Sequence, residues 1–170
     1  AGVLAALPPS TAVQRVVATR SPVPFAAFAH LLHDDDAADR APLEPPNLLG
    51  MLRRIRAGLV AQAEGRVLVL AVDDAHLLDD ASVSLLDQLA RSGEARLLLT
   101  VRAGEPCPAS IAALWRDEWC AHLALQPLSR HEIGELAAAV LGRWLEQASL
   151  DRLFAACNGN PMLLRELLVD

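Results

Sequence analysis

Four short apolar runs punctuate the chain: QRVVAT at 14–19, VLVLAV at 67–72, RLLLTV at 96–101 and HLAL at 122–125. The second and third show no alternation of apolar and polar positions. That pattern predicts strands buried on both faces, as in a parallel sheet covered by helices. Between the runs the apolar period lengthens. Residues 25–32 are apolar almost throughout. In 48–63, Leu48, Met51, Leu52, Ile55 and Leu59 fall on one stripe, with Arg53, Arg54 and Arg56 turned away, which predicts an amphipathic helix. In 81–90, Val83, Leu86, Leu89 and Ala90 share a face, Asp79 or Asp80 supplies an N-cap, and Gly93 a terminator. A short helix over 111–115 follows Pro108. Strand, helix, strand, helix predicts an α/β unit with right-handed crossovers.

The texture changes after Leu125. No strand signal follows, and three helical stretches are predicted at 130–141, 146–156 and 162–168. Ser129 with Glu132 three residues on reads as a capping box. The last forty or so residues therefore read as a small helical subdomain. Residues 34–46 (DDDAADRAPLEPP) read as a polar, proline-rich loop.

Composition narrows the functions open to such a fold. At 170 residues and 53% apolar content the chain can build a sizeable core. All 15 of its cationic residues are Arg, none is Lys, and the net charge is -6. Nucleic-acid binding by this chain alone is disfavoured, because phosphate affinity needs a cationic surface. Cys107, Cys120 and Cys157 are widely spaced with no CxxC, which argues against a disulfide framework or a zinc site and fits a reducing cytoplasm. No apolar run approaches the roughly 20 residues of a membrane span. The start, Ala1-Gly2-Val3, carries no Met and no charged leader and reads as the middle of a longer sequence.

The chemistry concentrates where 67–72 runs into Asp73-Asp74-Ala75-His76. Ionised carboxylates do not end an apolar strand unless something offsets their charge, and open α/β sheets bind ligands at the carboxyl ends of their strands. One acid of the pair suits a hydrated Mg²⁺ and the other an attacking water. The competing reading, a helix cap, is weakened by Asp79 and Asp80, which are better placed for it. Arg102, ending the next strand, has three readings: a phosphate reader, an ion-pair partner of those acids, or a solvated loop residue. In Cys157-Asn158-Gly159-Asn160-Pro161-Met162, Gly159 permits a left-handed backbone, Asn160 can cap and Pro161 suits the first helical position; punctuation between helices accounts for all of it. His30 and His33 sit three apart before Asp34, a spacing that a solvated helix end explains better than a metal. Trp115, Trp119 and Trp144 read as core or interface anchors. No nucleophile set of Ser or Cys with His is evident.

Taken in order, VLVLAVDDAHLLDDASVSLLDQLA, ARLLLTVR, LALQPLSRHEIGEL and CNGNPMLLREL resemble the ATPase domain of STAND-class, AAA+-like signalling ATPases, most closely that of the large LuxR-type transcriptional regulators. The stretch 15–32 also looks like the second strand and following helix of those proteins. The resemblance implies a P-loop NTPase-like parallel sheet over 1–127 and a helical lid over 128–170. It implies Asp73 as the Mg²⁺ ligand, Asp74 as the residue acting on the catalytic water, Arg102 as a sensor near the γ-phosphate, and Gly159 with Pro161 as the turn near adenine. His76 matches a recurrent His of unassigned role. ATP and Mg²⁺ are the implied cofactors. The implied partners are ATP or ADP, other domains of the same cytoplasmic regulator, and DNA only through a helix-turn-helix domain absent here; no membrane is implied, and a homo-oligomer is compatible.

One departure is large. The family's phosphate loop, GxxxxGK followed by Ser or Thr, is missing, and with it the backbone cradle, the phosphate-binding Lys and the Mg²⁺-binding hydroxyl. Residues 1–7 resemble the tail of the helix just after that loop. In this class the first strand lies between the sensor strand and the last strand, so its loss leaves a slot of unpaired backbone. The flanking strands close up, another segment fills the slot, or the chain is part of a longer one. The expectation is the nucleotide-binding region of an ATP-dependent LuxR-type regulator, a signalling switch inactive without the missing loop. The alternative is a catalytically dead ATPase-like scaffold or oligomerisation module.

Overall fold

The computed structural model describes residues 2–32 and 47–169. The polar loop at 34–46, and with it His33 and the acids at 34–36, lies outside the described residues. The fold is α/β, and the chain forms two compact units, 1–122 and 123–170.

The first unit holds a three-stranded parallel sheet in the order β1-β2-β3, with β1 at Thr11–Val17, β2 at Val67–Asp73 and β3 at Ala95–Leu99. Ladder partners run from Thr11 beside Val67 to Val17 beside Asp73, and from Leu68 beside Ala95 to Val72 beside Leu99. A short helix α1 (Gly2–Ala5) precedes β1. Three longer ones follow it: α2 (Leu48–Gln62), α3 (Asp80–Ser92) and α4 (Ala109–Arg116). The apolar stripe of α2 buries Leu52, Ile55 and Leu59; that of α3 buries Val83, Leu85, Leu86 and Leu89. Both stripes join Leu68, Leu70 and Val72 of β2, with Phe25, Phe28, Ile111 and Leu114, in one core. Residues 26–31 form a tight 3-10 helix that sets Phe28 and Leu31 into that core.

Local chemistry explains the boundaries. Asn47 caps α2 by accepting the Gly50 N–H at 3.0 Å. Asp79 caps α3: one carboxylate oxygen accepts the Ser82 N–H at 2.9 Å and the other its hydroxyl at 2.7 Å. The same carboxylate accepts the Phe25 N–H at 3.1 Å, so the cap also anchors the segment entering the 3-10 helix. Gly93, at φ 70°, ends α3 in the left-handed region where a Cβ is unfavourable.

Two strand expectations are corrected. β2 is buried from Leu68 to Val72 and lies between two neighbours. β3, among the described residues, pairs on one side only and alternates, with Leu98 37% exposed. An edge strand leaves a row of backbone N–H and C=O groups unpaired, and the alternation shows that only one face of β3 is covered. Residues 122–125 form no strand, and Leu123 and Leu125 are 79% and 86% exposed.

The second unit contains α5 (Arg130–Leu141), α6 (Gln147–Cys157) and α7 (Pro161–Val169) around Ile133, Leu150, Cys157 and Leu164. The capping box is formed, with Glu132 accepting the Ser129 N–H at 2.7 Å. Trp144 is exposed, so it is not a core residue of this unit. No helix among the described residues is long and apolar enough to cross a membrane.

Arg56 on α2 donates two hydrogen bonds, at 2.6 and 2.7 Å, to Glu94 just before β3. The hydrogen bond and charge of Arg56 hold the Glu94 carboxyl below its ordinary 4.5. A depressed folded pKa stabilises the fold above the unfolded value and is lost as pH falls through the folded one. Glu94→Gln should therefore lower the melting temperature at pH 7, and the gap should close as the pH falls below about 4.5. Thermal melts from pH 7 to 3 test this; a constant gap would contradict it.

Candidate site at the carboxyl end of the central strand

The apolar run of β2 ends at Asp73, and the chain then turns sharply. Asp74 takes a left-handed conformation, φ 54° and ψ 41°, and Ala75–Leu77 form one 3-10 turn. Asp and Asn tolerate this region better than most side chains. The turn is fastened to the end of β3. Thr100 donates its N–H to the Val72 carbonyl at 3.0 Å, and its own carbonyl accepts the Ala75 N–H at 2.8 Å. The Thr100 hydroxyl accepts the Asp74 N–H at 3.0 Å and donates to the Asp73 carboxylate. Asp73 also fixes β1, its carbonyl accepting the Ala18 N–H at 2.9 Å.

Asp73 is exposed and Asp74 half-buried. Nδ1 of the buried His76 lies 4.0 Å from the Asp74 carboxylate. Arg102 donates its backbone N–H to that same Nδ1 at 3.4 Å. Its side chain is exposed and, among the described residues, takes part in no hydrogen bond or ion pair. The ion-pair reading of Arg102 is therefore not the one adopted. Asp73, Asp74, His76, Thr100 and the Arg102 main chain thus meet at one end of the sheet. Two carboxylates stand there without a guanidinium partner among the described residues, beside an Arg whose head is uncommitted.

Among the described residues no cluster of three or more His, Cys, Asp or Glu could hold a metal. Mg²⁺ commonly takes only one or two carboxylates, completing its shell with waters and phosphate oxygens. Asp73 gives one oxygen to Thr100 and keeps acceptor capacity for such an ion. The residues present fit Mg²⁺ in that role. They do not make a triphosphate cradle, since the chain has no Lys.

Gly159 and Pro161 belong to the second unit. Gly159 has φ 77°, and a Cβ there would lie 2.6 Å from the Pro127 Cβ and 2.7 Å from the Leu128 carbonyl oxygen, so only Gly fits. Asn160 caps α7, accepting the Met162 and Leu163 N–H groups at 2.9 and 3.3 Å, with Pro161 at the first helical position. The turn borders an open hollow lined by Leu125, Pro127, Cys157, Asn160 and Leu163.

Other candidates resolve simply. His30 faces Gln14 at 3.3 Å. Trp115 packs on the core and stacks on His122, and Trp119 lies under the Arg91 guanidinium. All three cysteines are free, and burial pushes the Cys107 and Cys120 thiols up, away from reactivity. Thr100 escaped the sequence reading. Its signal was positional: a hydroxyl one step past an apolar strand, level with the first acid once the two strands pair in parallel.

Comparison with protein-family models, with curated proteins and with solved structures finds no match.

Thr100→Val would strip the Asp74 N–H and the Asp73 carboxylate of their shared partner. A loss of about 1–2 kcal/mol in urea unfolding is expected, with Thr100→Ser recovering most of it. Equal stability of the Val variant would contradict the role given to the hydroxyl.

Proposed function

We propose that the chain is the nucleotide-binding region of a STAND-class signalling ATPase resembling the large LuxR-type transcriptional regulators, with a P-loop NTPase-like sheet lacking its first strand. One observation carries the reading: twin carboxylates at the carboxyl end of the central strand, fastened to the next strand by Thr100 yet without a guanidinium partner among the described residues. Both acids reach solvent and keep acceptor capacity, which suits a hydrated cation that takes only one or two carboxylates. The edge of β3 left unpaired among the described residues supports the same view, because an absent strand would account for it.

In this reading Asp73 holds Mg²⁺, whose charge would offset that on the phosphoryl oxygens. Asp74, its carboxylate turned out of the ladder by the left-handed backbone, orients the attacking water. Arg102 supplies a planar donor fork for the terminal phosphate. Gly159 and Pro161 shape the turn assigned to adenine by resemblance. The main grip on the triphosphate, backbone N–H groups with a Lys and a Mg²⁺-binding hydroxyl, comes from residues outside this chain. Nucleotide binding would then shift a larger regulator between closed and open states, with slow hydrolysis as the reset.

The 170-residue chain should show no heat on calorimetric titration with Mg·ATP; a low-micromolar dissociation constant would contradict the missing-grip argument. The upstream coding sequence separates this reading from a catalytically dead scaffold. A GxxxxGK followed by Ser or Thr just before Ala1 favours the ATPase, and a genuine start codon there favours the scaffold. In the longer polypeptide, Asp74→Ala should abolish turnover and leave nucleotide binding largely intact. Lost binding with intact folding would contradict the role of Asp74.

A further inference from the structure

Four polar contacts join the acidic turn to the end of β3, and they divide unequally. Three end on Thr100, through its hydroxyl and its carbonyl. Only the fourth reaches Arg102, whose N–H donates to His76 Nδ1 at 3.4 Å. The ladder stops at Leu99, so Arg102 has no strand neighbour to hold it. Its carbonyl accepts the Glu105 N–H at 3.3 Å, which closes a turn on the far side and leaves the near side to His76.

The His76 side chain is only 5% exposed. An apolar ring would fill such a volume without the cost of desolvating two nitrogens. Because the Arg102 N–H donates to it, Nδ1 is the bare nitrogen, and the ring's proton sits on Nε2 in the neutral form. The ring therefore gives no hydrogen through Nδ1 to the Asp74 carboxylate, although the two lie 4.0 Å apart. Asp74 keeps that acceptor free while its neighbour loop is held in place.

We propose that His76 is a positioning residue: its Nδ1 fixes the Arg102 main chain beside the Asp73–Asp74 pair, so the direction in which the Arg102 side chain departs depends on an acceptor at that atom. The inference rests on the proposed function for what Arg102 meets, a terminal phosphate. The tie itself is a property of this chain alone.

Two variants of the full 170-residue chain test it. His76→Phe keeps the ring and removes the acceptor; His76→Asn places a side-chain oxygen near the position of Nδ1. Amide hydrogen exchange is read by NMR at Arg102, with Leu70 and Leu86 as core references. His76→Phe should speed Arg102 exchange about tenfold while the core amides stay protected, and His76→Asn should restore it to within about threefold. Unchanged Arg102 exchange in His76→Phe would overturn the proposal. So would failure of Asn to rescue, or equal acceleration at all three amides in both variants, which would mark loss of packing alone. A failure of the ATPase reading would appear in the longer polypeptide's nucleotide binding and leave this exchange pattern intact.

Discussion

The Thr100 hydroxyl is the contact on which the rest of the site depends. It accepts from the Asp74 backbone and donates to the Asp73 side chain, so a single oxygen joins both acids to the neighbouring strand. It can do so only because β2 and β3 run parallel in a register that sets Val72 beside Leu99. A slip of one residue would send Thr100 to the other face and leave the carboxylates unsupported. The helix caps and the core serve that register. Leu70, Leu86 and Ile111 fill the covered face of the sheet, and Asp79 fixes where α3 begins after the acidic turn.

The sheet is completed unevenly. β2 has a neighbour on each side; β3, among the described residues, has one. In a parallel strand the N–H and C=O of one residue point the same way. The N–H and C=O of Thr100 point toward β2, so those of Leu97, Leu99 and Val101 point outward. A strand edge of this kind is a pairing template, and it adjoins the end of the sheet that carries Asp73 and Arg102. The edge of β3 that is unpaired among the described residues thus lies beside the acidic turn.

Much of this was legible in the residues. The unbroken apolar run before Asp73 located a strand with both faces covered. The stripes of α2 and α3 and the Ser129–Glu132 box were equally plain. The sequence misled where burial depends on a neighbour. RLLLTV has the composition of a core strand, but, paired on one side among the described residues, it leaves Leu98 exposed; HLAL is a short apolar run that forms no strand and leaves Leu123 and Leu125 in solvent. Thr100 and the Arg102–His76 tie were invisible, because each joins residues 26 apart whose proximity follows from register alone.

The most direct test is a structure of the polypeptide from the complete reading frame, crystallised with Mg²⁺ and a non-hydrolysable ATP analogue. The distance from the metal to the Asp73 carboxylate decides the matter. The account predicts coordination at about 2.1 Å, or one intervening water, with the Arg102 guanidinium on the terminal phosphate. A metal and triphosphate seated elsewhere, with Asp73 still held only by Thr100, would contradict it.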